Sequence, residues 1–340
     1  MTVSPHINSL VSIRLSRRGI LGGLAALPLL SMGGCATLGR TGRDQRLSTF
    51  ASVPPTQADT VTVPEGYEVR TLIAWGDPLF DTVSGPADLN ALDRAAQEQR
   101  FGTHNDMLAL FPARWTFPAP RAGRSHILCV NHEYFDPATA VPAAQSLADF
   151  DVSRVEGLFA AMGVTVMAVD ENAAGEWRVS RDTRLGTGVN RRITPFTPVI
   201  FTGPAANHPW ILAAARSYNA DEPGVPTGRV ACGTLANCAG GQTPWGTFLT
   251  SEENFQSYFR ATGPDNAALA TARADAKLSA DATAFGYRFD TDRPGLPGPA
   301  PYDLSRNPTG PAAYGWVMEI DPYDPDSTPK KRTSIGRKKG

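Results

Sequence analysis

GTLANCAGGQTPWGTFLTSEENFQSYF, residues 233–259, sets Cys238 between an asparagine and a Gly-Gly pair, then closes on Glu252-Glu253-Asn254. A thiolate, two carboxylates and amide oxygens in one short stretch make a metal site that mixes soft and hard ligands. Glycines at 240, 241 and 246 let the backbone turn sharply enough to aim those groups at one point. The same composition also fits a reverse turn with a buried cysteine and an exposed acidic pair. Glu252 and Glu253 are adjacent, so on a strand they point to opposite faces and only one reaches a given ion.

Working outward, five further stretches stand in order along the chain. They are GYEVRTLIAWGDPLF (66–80), FGTHNDMLALFP (101–112), ILCVNHEYFDP (127–137), NRRITPFTPVIFTGPAANHP (190–209) and YGWVMEIDPYDPDSTPKKRTSIGR (314–337). Together with 233–259 they resemble the PhoX-type alkaline phosphatases, over residues 65 to 337. The resemblance implies an all-β, β-propeller-like fold with decorating helices. It implies hydrolysis of phosphomonoesters at a cluster of iron and calcium ions, with small-molecule phosphoesters as substrates. Cys238 then becomes an iron thiolate ligand, and Glu253 the preferred carboxylate of its pair. The family continues beyond Ile335-Gly336-Arg337 with a histidine and a glutamate, where this chain reads Lys338-Lys339-Gly340. The expectation is therefore an incomplete propeller, with the activity of this chain in question.

The residues themselves carry the argument part of the way. Many short strand-like runs separated by turns favour an all-β propeller or barrel, in keeping with 32 glycines and 29 prolines among 340 residues. No repeat at blade period is visible, so the propeller expectation rests on the resemblance. Val61–Trp75 reads as extended, and 88–99 as a helix capped by Asp88 with Leu89, Leu92 and Ala96 on one face. Val152–Met162 reads as a helix. Residues 164–169 and a return from Trp177 read as a hairpin. Residues 265–285 are Ala-rich and read as helical or flexible, and 286–312 as a long Gly/Pro-rich insertion.

Further candidate ligands lie in the other motifs. Glu133 stands at a strand end, where side chains converge on a central site. Asn105 and Asp106 precede a strand, although Asn-Asp there is also ordinary turn chemistry. His104 and His132 read better as hydrogen-bonded structural residues than as ligands. Arg191 and Arg192 fit either a phosphate clamp or a brace between strands. Asp321–Asp326 looks like a calcium loop, but its prolines favour a plain connection. Cys129 sits in an apolar run as buried filler. Cys232 and Cys238 could bridge, or Cys238 could serve a metal.

Residues 1–36 read as a twin-arginine export signal: Arg17-Arg18, an apolar run from Gly19 to Met32, then small residues. Cys35 is either lipidated, giving membrane attachment, or removed by cleavage near Ala36. Residues 37–60 read as a linker or arm, and 61–340 as the N-terminal part of the propeller. The expected location is the periplasm or outside the cell, with the twin-arginine machinery as export partner. A net charge of −1 gives no reason to expect nucleic acid. Two other functions compete: a non-catalytic calcium-binding envelope propeller, and a calcium-only lactonase- or esterase-like propeller. Neither needs a thiolate beside carboxylates.

Overall fold

A computed structural model describes residues 52–113, 124–135, 151–181, 188–220, 229–259, 302–303, 307 and 309–335. The export signal, Cys35, residues 37–51, the Ala-rich 265–285 and most of 286–312 lie outside the described residues. The described residues up to Arg70 belong to one unit and those from Thr71 onward to another. In the first, 61–70 carries no strand, and Val61, Tyr67 and Val69 are exposed. The expectation of an extended strand over 61–75 is corrected: an alternating pattern makes a strand only where a neighbour completes its hydrogen bonds.

The fold is all-β, in two sheets with a few short helices. The first sheet joins β1 (Asn105–Pro112), β2 (Arg124–His132), β3 (Gly163–Glu171) and β4 (Trp177–Val179) in that order, all antiparallel. β5 (Arg191–Ile193) also pairs with β3. The second sheet holds β6 (Pro198–Thr202), β7 (Val230–Cys232), β8 (Asn237–Gln242), β9 (Phe248–Glu252), β10 (Val317–Ile320) and β11 (Lys330–Arg332). Its order is β7-β6-β11-β10-β9-β8.

Period-two burial explains how the sheets stack. On β2, Ile127 and Cys129 join Val164, Val166 and Ala168 of β3, and meet Val199, Phe248, Met318 and Ile320 of the second sheet. Leu128 and Val130 turn the other way, with Met167 and Val169, onto Leu79 and Phe101. β2 and β3 are apolar on both faces because both faces are covered, as a strand between stacked layers requires. A third cluster packs α2 (Val152–Ala160) and α3 (Pro209–Ala220) onto Phe135, Tyr258, Phe259, Tyr302, Tyr314 and Trp316.

The stretch 88–99 is not one helix. Asp88 does cap, accepting from the Asn90 amide, but only a 3-10 turn follows over Leu89–Ala91. Leu92 is extended, and Asp93 caps a second start, α1 (Arg94–Gln97), through the Ala96 amide. Two capping aspartates five residues apart divide the segment. The Gly240-Gly241 pair is likewise no turn; it lies within β8. The turn comes later, at Thr243–Thr247, where Gly246 takes φ 91°.

Candidate metal centre

Three ligand atoms converge: a carboxylate oxygen of Asp106, one of Glu133 and the Sγ of Cys238 lie within 4.8 Å of one another. Glu253 joins them through a hydrogen bond with the Cys238 thiol, which is also bonded to Asp106. They come from four elements: Asp106 from the start of β1, Glu133 from just past β2, Cys238 from β8 and Glu253 from just past β9.

Two β-bulges bring them together. The β1–β2 register slips between Asn105 and Leu108, so Asp106 sits in a bulge. The β8–β9 register slips between Asn237 and Gly240, so Cys238 does too. A bulge bends the strand and re-aims a side chain out of the regular pleat. The two bulged strands touch. A Cβ on Gly240 would fall 2.5 Å from the Leu249 carbonyl oxygen and 3.0 Å from Met107 Cγ, so this position excludes any side chain. Gly241 has open space and no such need.

The electrostatics at Cys238 are anionic. Desolvation, hydrogen bonds to Asp106 and Glu253, and the charges of Asp106 and Glu133 push its thiol up to about 12. A thiol hemmed by carboxylates is a poor free nucleophile but a good ligand set for a cation, which would favour the thiolate and the carboxylates together. Carboxylate oxygens suit calcium and ferric iron, and the thiolate suits a softer transition metal. The donor set thus fits the group expected from sequence.

Other candidates have different places. Glu252 is fully buried, with Oε1 2.8 Å from Lys331 Nζ and accepting from Thr234 Oγ1, also at 2.8 Å. Its Oε2 accepts from the Trp316 amide. The expectation of Glu252 as a ligand is therefore corrected: its carboxylate is spent in the interior. Arg191 and Arg192 brace strands instead of clamping phosphate. Arg191 donates to the carbonyls of Val189, Asp321 and Asp324. Arg192 donates to Thr165 Oγ1, Ala160 O and Met162 O, and burial lowers its pKa to about 9. Asn105 opens β1 opposite His132.

His132 is structural, and its protonation follows from its partners. Arg192 can only donate, so the Thr165 oxygen accepts that bond at 2.7 Å, and because burial keeps the His132 ring neutral, its Nε2 accepts from the Thr165 hydroxyl. His132 Nδ1–H then donates to the Thr103 carbonyl, so both ring nitrogens are occupied. Burial, which comes first, and Arg192 both lower its pKa. His104 has φ 45° and packs its ring 3.7 Å from that of Tyr134. Among the described residues no cysteines bridge: Cys129, Cys232 and Cys238 are all thiols. β7 and β8 form opposite edges of the second sheet, and Cys232 Sγ donates to the Pro195 carbonyl.

The model of the family described as alkaline phosphatase PhoX matches residues 48–339. The chain belongs to the PhoX family. A solved structure, Pseudomonas fluorescens PhoX in complex with vanadate, a transition state analogue, superposes with a TM-score of 0.63 at 33% identity. The match covers 85% of this chain and 44% of that PhoX, so the chain spans less than half of the relative's length. A comparison with curated proteins gives no match. PhoX membership agrees with the all-β architecture and with a site able to hold a metal ion.

Sequence reasoning missed three residues that shape this site. Lys331, Thr165 and Asn131 are not among its candidates. Only Asn131 gave a local signal: a polar residue continuing a run buried on both faces.

Proposed function

We propose that this chain carries the metal site of an exported phosphomonoesterase, with Asp106, Glu133, Cys238 and Glu253 as protein ligands. The observation that supports it best is the convergence of a half-buried thiol with carboxylates from three elements, two of them on re-aimed bulges. Iron at the Cys238 side and calcium among the carboxylates match the chemistry of the donors. Such ions neutralise a bound phosphoester, activate water and stabilise the leaving oxygen. The residues of this chain hold the ligand set in register and present it at the surface. The Glu252–Lys331 pair and the Arg192–Thr165–His132 chain fix the strands beneath. In this reading the twin-arginine segment directs the protein to the periplasm or beyond, and the substrates are small phosphoesters.

The test uses the full chain, with Cys238→Ala and Glu133→Gln as variants. Elemental analysis after loading with iron and calcium is the first readout, and hydrolysis of p-nitrophenyl phosphate the second. Bound iron and calcium in the wild type, lost in both variants with the fold intact, is the expected result. Unchanged metal content and hydrolysis in Cys238→Ala would overturn the assignment, and calcium without iron in both proteins would favour a calcium-only protein.

A further inference from the structure

Asn131 is fully buried on β2, one residue before His132 and two before Glu133. Its place in the ladder is unusual. Val130 pairs with Leu108 and His132 with Asn105, so Asn131 faces the bulge in which Asp106 and Met107 lie. Its side chain also leaves its own sheet. Nδ2 donates to the Cys238 carbonyl at 2.8 Å and approaches the Ala239 carbonyl at 3.4 Å. Those two carbonyls belong to the bulge of β8. One side chain therefore stands against one bulge and is tied to the other.

The orientation of the amide follows from chemistry. Turning it over would set Oδ1 against two carbonyl oxygens, so the nitrogen must face β8. That leaves Oδ1 buried with no hydrogen-bond partner among the described residues. An unpaired buried oxygen costs stability. An apolar side chain would fill the space without an unpaired oxygen, so packing alone does not account for asparagine here.

We propose that Asn131 is the positioning residue of the metal centre, fixing the Cys238 backbone against β1 so that Sγ meets the carboxylates of Asp106 and Glu133. This rests on the metal-site reading above. Groups that orient ligands without touching the ion commonly change metal affinity by ~10–100-fold when removed. Asn131→Leu removes the donor and keeps the branching of the side chain.

The experiment titrates the metal-free full chain with cobalt(II) and follows the cobalt–thiolate charge-transfer absorption, alongside thermal melts. The wild type should show the band, and Cys238→Ala should lack it. Asn131→Leu should still melt cooperatively while the band weakens and cobalt affinity falls ~10–100-fold. Asn131→Leu with the wild-type band and affinity would overturn the proposal. If Asn131→Leu does not fold, Asn131→Ser replaces it. Failure of both to fold would also overturn it, by assigning Asn131 to the core. A wild type without the band would instead defeat the metal-site reading, and this proposal with it.

Discussion

Glu252 and Glu253 are neighbours in sequence with opposite surroundings. Glu252 ends β9 pointing inward, fully buried, against the ammonium of Lys331. That ammonium also donates to the Ala313 carbonyl and lies 4.1 Å from the centre of the Tyr314 ring. Glu253 lies just past the strand, half-buried, bonded to a thiol that two further carboxylates crowd. The interior carboxylate has a cation built into the chain. At the surface, carboxylates gather around a thiol instead, an arrangement that an added cation would stabilise. Asn237 and Cys238 repeat the division one strand away. Asn237 is buried, donating to Thr234 Oγ1 and Thr250 Oγ1, while Cys238 faces the site. One face of the β8–β9 end is a completed polar network, and the other is a set of ligands.

If the interior pair is as described, Lys331→Met should be the most damaging single change. It leaves a carboxylate buried without its ammonium and should lower stability by about 3–5 kcal/mol. Denaturant melts of Lys331→Met and of the double variant with Glu252→Gln check this. The double variant should recover much of the loss, and equal loss in both would break the pairing argument.

Thr165→Val comes next. It removes the hydroxyl that accepts from Arg192 and donates to His132, and should cost ~1–3 kcal/mol. Metal content should remain wild-type, since Thr165 lies beneath the ligands and not among them. Loss of metal at unchanged stability would contradict that placement.

The smallest stability effect is expected on the other face. Asp106→Asn in chelated protein should stay within about 0.5 kcal/mol of the wild type, as for ordinary surface changes. Metal retained through dialysis should nonetheless fall, as elemental analysis would show. A sharper contrast comes from the cysteines. Burial pushes the Cys129 thiol up to about 12, and Cys129 and Cys232 are buried. In the native state neither should react with an alkylating reagent, whereas the half-buried Cys238, held protonated by its carboxylates, should react slowly at neutral pH and faster as the pH is raised in metal-free protein, and be protected by bound metal. Mass mapping of the labelled protein would show the difference.

Much of this arrangement was legible in the sequence, and the reasons for the rest are physical. The strands of the first sheet could be read because β2 and β3 bury alternate residues on both faces, and the helix at Val152–Ala160 because its apolar face repeats at the helical period. Strand parity also told that one of Glu252 and Glu253 would turn away. Which one depended on Lys331 and Trp316, distant in sequence but adjacent through β10 and β11. Local pattern does not report such partners. Arg191 and Arg192 were ambiguous for the same reason: their acceptors are backbone carbonyls, which every residue carries. The bulges were invisible as well, since a one-residue slip in register depends on both strands of a pair. Position 61–70 failed in the opposite sense, with a strand-like alternation but no strand.

The most direct measurement is a thermal melt of the full chain with and without iron and calcium, with bound metal quantified in the same samples. The account predicts bound metal and a higher melting temperature in the wild type, with both effects absent in Cys238→Ala and Glu133→Gln. The metal-free wild type and variants should melt close together. A wild type that melts identically with and without metal and retains none, or variants that bind as the wild type does, would contradict it.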